Sequence, residues 1–192
     1  MSRINDPNPV RDSAFLNNRR DVVVDKIVPY LKECDRILDI GCGGGHIAKS
    51  LKDANYSVIA LDIVNKSSFP DVQPIIYDGH VIPFPDDSFD VAFLLTVLHH
   101  IKDPLATLAE AKRVARRIVI MEDLYDGWFQ KYMTFAMDSF LNREFFGHPH
   151  SNKTKAEWEA AFKEMGLKVV DEKSNDFWRF FTSGTFSLER SD

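Results

Sequence analysis

Cysteine is scarce, with only Cys34 and Cys42 in a chain of 192 residues. Two thiols, one of them inside a glycine-rich loop, make no disulfide framework, so both are read as reduced. Long apolar runs are also missing. The longest, VAFLLTVL at 91 to 98, is far short of the roughly 18 residues that suggest a membrane span. The opening residues MSRINDPNPVRDS lack the apolar core of a signal peptide. The expectation is therefore a soluble, cytoplasmic protein with no membrane span. Positive charge is not in excess either: 24 Lys and Arg stand against 29 Asp and Glu, a formal net charge of -5. That balance gives no general reason to approach a polyanion, and nucleic acid is not expected as a partner. Lys112, Arg113, Arg116 and Arg117 form a local basic cluster in the sequence. Repeats at solenoid or propeller periods and low-complexity tracts are absent.

What is present suits a globular chain. Hydrophobic residues make up 44% and aromatic residues 12%, enough to offset the entropy of ordering. A length of 192 residues matches one domain at roughly 100 to 200 residues each, so a single domain over 1 to 192 is expected. Short apolar runs alternate with helical patterns, as in βαβ units of a parallel sheet covered by helices. Residues 21 to 33 suit a covering helix despite Pro29. A first strand at 36 to 40 is followed by a helix from about 47 to 54. The runs SVIAL and QPIIY end at Asp62 and Asp78, and FDVAFLLTV supplies a fourth, wholly apolar strand typical of a sheet centre. Asp103 and Pro104 mark the start of a helix through Val114, and RIVIME makes a fifth strand. Thr154 and Glu157 form a capping box for a helix that Gly166 stops. The tail reads as two further strands, antiparallel to each other.

In an open doubly wound sheet, ligands bind at the carboxyl ends of the strands. Asp39, the glycine loop at 41 to 45, Asp62 and Asp78 all fall at such ends. Spacing separates two nucleotide-type ligands. A dinucleotide loop G-x-G-x-x-G needs its third glycine at position 46, where this chain has His46; its third glycine is Gly45. D-x-G-x-G-x-G instead suits a ligand without phosphates that presses its adenosine and amino-acid parts against the loop. Asp62 is placed to accept hydrogen bonds from both ribose hydroxyls, and Asp78 from an exocyclic amine.

These residues resemble the class I S-adenosylmethionine-dependent methyltransferases, and most of all the group similar to the ubiquinone and menaquinone biosynthesis methyltransferases. ILDIGCGGGHIAKSL is similar to the first motif of that family, VIALDI to the second, and YDGHVIPFPDDSFDVAFLLTVLHHIKDP to the third and fourth together. The resemblance covers residues 36 to about 122. It implies a doubly wound, Rossmann-like α/β fold: a seven-stranded sheet in the order 3-2-1-4-5-7-6, strand 7 antiparallel, with helices on both faces. It implies S-adenosyl-L-methionine as cofactor and a small-molecule methyl acceptor as partner. Carried over, Gly41, Gly43 and Gly45 face the methionine part, with Asp39 supporting the loop and Cys42 a small residue fitted to its turn. Asp62 holds the ribose, Ile63 packs on adenine, Asp78 and the Gly79 backbone read the adenine edge, and Leu95 and Thr96 lie near the methionine end.

A sulfonium already activates its methyl group, so few catalytic side chains are needed. A general base matters when the nucleophile is a hydroxyl, a phenol or an acidic carbon, and then adds roughly 10² to 10⁴ in rate. His99, His100, Glu122 and Asp123, near the ends of the fourth and fifth strands, are the candidates; because the His pair recurs in the family across different substrates, a structural or cofactor-side role is the first expectation for it. No metal is expected, since the histidines at 99, 100, 148 and 150 lack a zinc-type spacing. Residues 1 to 20 and 124 to 153 fall where the family places substrate-covering segments. The aromatic stretch from 128 to 146 suits a core-packing helix and a lid over an apolar acceptor equally well. The remaining alternatives are a non-catalytic cofactor-binding partner or regulatory protein, an NAD-dependent oxidoreductase, and methylation of protein or RNA.

Overall fold

The computed structural model describes residues 20–32, 35–125, 153–177 and 181–191. Most of the two expected substrate-covering segments, 1 to 20 and 124 to 153, lies outside these residues, as do Cys34, the aromatic stretch 128 to 146 and the histidines at 148 and 150. A helix over 20–27 (α1) runs into a 3-10 turn at Val28–Tyr30. Then come β1 (Arg36–Ile40), α2 (His46–Asp53), β2 (Ser57–Asp62), β3 (Ile75–Ile76) and β4 (Phe89–Leu95). A 3-10 turn at Leu98–His100 leads to α3 (Pro104–Val114), β5 (Ala115–Leu124), α4 (Lys155–Glu164), β6 (Leu167–Phe177) and β7 (Phe181–Arg190).

The seven strands form one sheet in the order β3-β2-β1-β4-β5-β7-β6, as the resemblance implied. The pairs from β3 to β5 are parallel, and β7 lies antiparallel to both β5 and β6. Central position explains the composition of β4. It pairs with β1 on one edge and β5 on the other, a cluster packs on each of its faces, and Val91, Ala92, Phe93 and Leu94 are all fully buried. Side chains alternate between faces. Ile37, Val91, Phe93, Val119 and Met121 join Ile27 of α1 and Leu51 of α2 in one cluster. Leu38, Ile40, Ala92, Leu94, Ile118 and Ile120 join Leu108 of α3 and Trp158 and Phe162 of α4 in the other.

Caps end the helices where the sequence signals them. Asp103 accepts a hydrogen bond from the Ala106 N–H, 3.1 Å, ahead of Pro104. At α4 the Thr154 hydroxyl accepts from the Glu157 N–H at 3.2 Å and the Glu157 carboxylate accepts from the Thr154 N–H at 2.7 Å. Two expectations are corrected. The helix predicted over 21 to 33 leaves α geometry after 27, because Pro29 has no N–H to donate and disfavours the α conformation of the residue before it. The predicted third strand shrinks to Ile75–Ile76 at the sheet edge. Among the described residues no helix is long and apolar enough to cross a membrane.

Candidate functional site

The turn after β1 must leave the strand and enter α2 within five residues, and it does so through glycine. Gly41, Gly43 and Gly45 have φ of 74°, 52° and 75°, the left-handed region that costs a residue with a Cβ roughly 1 to 2 kcal/mol. The reasons differ by position. A Cβ on Gly41 would lie 2.3 Å from Cγ2 of Val97, whereas a Cβ on Gly43 would meet nothing within 4 Å. Gly41 is required by packing, and Gly43 leaves bare backbone beside open space.

That space is a cavity of about 630 Å³ at the carboxyl ends of β1, β2 and β4. Asp39, Gly41, Cys42, Gly43, Asp62 and Ile63 line it, and Leu95, Thr96, His99 and His100 close it on the β4 side. Asp62 holds the loop. One of its carboxylate oxygens accepts from the Gly43 N–H at 2.8 Å, and the other from the N–H groups of Ile63 and Val64 at 2.7 and 3.2 Å. The loop support assigned to Asp39 thus belongs to Asp62 in the structure. Asp39 is only 3% exposed, and its Oδ2 has no hydrogen-bond partner. Its neighbours across the sheet are Ala60 on β2 and Phe93 on β4, and neither solvates a carboxylate. Burial, and then the charge of Asp62, push the Asp39 carboxyl up to about 7. Burial likewise raises the Cys42 thiol to about 12, so Cys42 is no thiolate nucleophile at neutral pH.

The turn leaving β4 is strained and clamped. Thr96, a β-branched residue, has φ of 53°, a backbone conformation such residues rarely adopt. Its N–H donates to the Met121 carbonyl at 2.6 Å. Glu122, 1% exposed on β5, completes the clamp: Oε1 accepts from the N–H groups of Val97 and Leu98 at 2.9 and 2.7 Å, and Oε2 lies 2.5 Å from His99 Nδ1. With Nδ1–H donated to the carboxylate, the lone pair of a neutral His99 ring sits on Nε2. The His100 ring lies 3.9 Å from that of His99.

A profile of the family described as "Methyltransferase domain" matches residues 15 to 172. The chain belongs to the methyltransferase family. Its fold is the class I, S-adenosylmethionine-dependent type. Demethylmenaquinone methyltransferase of Renibacterium salmoninarum is 29% identical over 56% of this chain and 52% of its own length. The 27-O-demethylrifamycin SV methyltransferase of Amycolatopsis mediterranei is 32% identical over 55% of this chain and 44% of its own. The chain spans about half the length of the curated relatives it matches. Magnesium protoporphyrin IX methyltransferase from Synechocystis PCC 6803, solved with bound SAH, superposes with a TM-score of 0.67 at 18% identity, covering 98% of this chain and 90% of that one. At that identity the likeness is one of fold.

Within this methyltransferase domain the predicted residues separate into those at the cavity and those beside it. Gly79 abuts Ile63, since a Cβ there would lie 3.2 Å from Ile63 Cγ2. Asp78 is engaged locally, accepting from the N–H groups of His80 and Val81 at 2.8 and 3.0 Å, and those bonds pull its carboxyl below the usual range. Glu122 faces the turn, and Asp123 sits opposite Ser183 of β7. Four cavity residues lie outside the quoted motifs: Arg20 and Val23 on α1, and Val64 and Lys66 on the loop after β2. They reach the site by chain crossing, without any motif spacing. Among the described residues no group of three His, Cys, Asp or Glu side chains is placed to hold a metal ion. At the opposite rim the basic cluster is engaged internally: Arg113 with Glu110 and Asp86, Arg117 with Asp35.

Proposed function

We propose that this protein transfers a methyl group from S-adenosylmethionine to a small hydrophobic or aromatic acceptor, at oxygen, carbon or nitrogen. One observation carries the reading: left-handed glycines, a loop-binding carboxylate and an unpartnered buried carboxyl share one cavity at the strand ends. The residues fit this cofactor. Bare backbone at Gly43 accommodates a group lying flat on the loop, and the Asp62 carboxylate, with about four acceptor positions, keeps about one beyond its three N–H donors for a ribose hydroxyl. Ile63, 63% exposed, offers an apolar face for adenine, with Gly79 and Asp78 beside it. Gly41 and Gly45 shape the loop along the methionine part, and Leu95 and Thr96 lie near the methionine end.

When bound, S-adenosylmethionine supplies a methyl group made electrophilic by its sulfonium. The protein's work is then to orient the acceptor and exclude water, and orientation alone is worth roughly 7 to 11 kcal/mol in favourable cases. For an acceptor that must lose a proton, His99 and His100 are the groups within the cavity, with Glu122 holding His99; Glu122 itself is occupied and Asp123 does not line the cavity. The quinone and rifamycin substrates in the relatives' names support an apolar or aromatic acceptor.

Isothermal calorimetry tests the cofactor assignment: S-adenosylmethionine and its demethylated product should bind in the micromolar range or tighter. No heat at concentrations far above that overturns it. Formation of S-adenosylhomocysteine with a panel of phenols and quinols separates an enzyme from a cofactor-binding partner without turnover.

A further inference from the structure

Asp39 is the cavity acid for which the cofactor reading names no partner. It is 3% exposed, sits between Ala60 and Phe93, lines the cavity, and keeps one carboxyl oxygen without a hydrogen-bond partner. A carboxylate so placed needs a counter-charge, because burying an unpaired charge is far costlier than burying its neutral acid. The groups nearest it offer none. Asp62, at the end of β2, is itself an acid, and Cys42 in the loop is a neutral thiol. Elsewhere on the cavity wall, Arg20 of α1 donates to Asp21 at 2.7 Å, and Lys66 stands exposed on the loop after β2. Tyr77, His46 of α2 and the His99–His100 pair complete the titratable lining.

We propose that Asp39 is a specificity-determining residue: its carboxyl holds a proton in the ligand-free protein and exchanges it for the positive charge of a cationic ligand. The exchange balances. The O–H bonding pair stays on the carboxylate, the proton passes to solvent, and the ligand's charge replaces it. The position of the Asp39 carboxyl at about 7, raised by burial and by Asp62, agrees with this geometry. A consequence is selectivity within one cavity. S-adenosylmethionine, which carries a sulfonium and an ammonium, gains a carboxylate partner. 5′-Methylthioadenosine, which shares the adenosine but has neither cation, gains nothing from it. The inference rests on the cofactor reading above and deepens it.

Calorimetry on the full chain at pH 6, in buffers of differing ionisation enthalpy, counts the protons released. S-adenosylmethionine should release close to one proton, and 5′-methylthioadenosine close to none. Affinity for S-adenosylmethionine should climb by roughly tenfold per pH unit between about pH 5 and 6.5 and level off above about 7, with little change for 5′-methylthioadenosine. Asp39→Asn, which imitates the protonated acid, should abolish both the release and the slope. Retention of either in Asp39→Asn assigns the proton to the cavity histidines and overturns the proposal. Should Asp39→Asn not fold, infrared difference spectra of the wild type decide: S-adenosylmethionine must bleach a protonated-carboxyl C=O band that 5′-methylthioadenosine leaves intact, and no bleaching overturns it. Absence of any binding removes the cofactor reading itself; binding without proton release removes only this inference.

Discussion

Glu122→Ala is the sharpest test of how the site is held together. The carboxylate, 1% exposed, serves three donors: the N–H groups of Val97 and Leu98 and the His99 ring. His99 is itself 3% exposed, so the side chain that loses its partner gains little water. Each buried donor left unpaired costs roughly 1 to 3 kcal/mol. The three losses share one group and relax together, so a total near 4 kcal/mol is expected, a large part of the roughly 5 to 15 kcal/mol of a typical domain. Glu122→Gln keeps the shape and an acceptor oxygen for the two backbone donors, and should cost only about 1 to 2 kcal/mol. Urea unfolding followed by circular dichroism, with the m-value checked for constancy, measures both. A loss below about 1 kcal/mol for Glu122→Ala would refute the clamp, because the buried donors of Leu98 and His99 and the half-buried one of Val97 cannot lose their shared acceptor so cheaply.

Three other outcomes follow from the same geometry. Gly41→Ala combines a left-handed φ with a 2.3 Å clash on Val97 and should lose about 2 to 5 kcal/mol of thermal stability; Gly43→Ala, with open space at its Cβ, should lose only about 1 to 2 kcal/mol yet bind S-adenosylhomocysteine far more weakly. Equal melting temperatures for the two variants would contradict the packing argument. Asp62→Ala should weaken cofactor binding by about 1.5 to 3 kcal/mol through lost charged hydrogen bonds, measured by calorimetry; unchanged affinity would remove the ribose assignment. Asp39 titrates at about 7 in the fold against an ordinary 3.8. The native state therefore binds the extra proton, and unfolding free energy falls as pH rises from about 4 to 7, by up to about 4 kcal/mol. Denaturant midpoints across that window should decline in the wild type and stay flat in Asp39→Asn.

Local signals and family motifs were enough for the architecture. The run from Phe89 to Leu95 could only be a strand covered on both faces, the Thr154–Glu157 box could only open a helix, and the missing glycine at His46 separated the two nucleotide loops. Period-two and period-3.6 patterns are properties of neighbouring residues, so a single sequence displays them. Pro29 is visible in the sequence too, and it turns the end of α1 into a 3-10 turn. The division of labour among the acids was not visible, because it depends on which strands lie side by side. Asp62 meets Gly43 across 19 residues of chain, and Glu122 meets Val97 across 25. Asp39 is isolated by Ala60 and Phe93, residues brought to it by the crossovers of β2 and β4. Hydrogen-bond partners and desolvation are properties of the space around a carboxyl. The sequence by itself therefore determined where the acids end their strands, and the tertiary structure decided which one ties the loop, which one clamps the turn and which one is left buried without a partner.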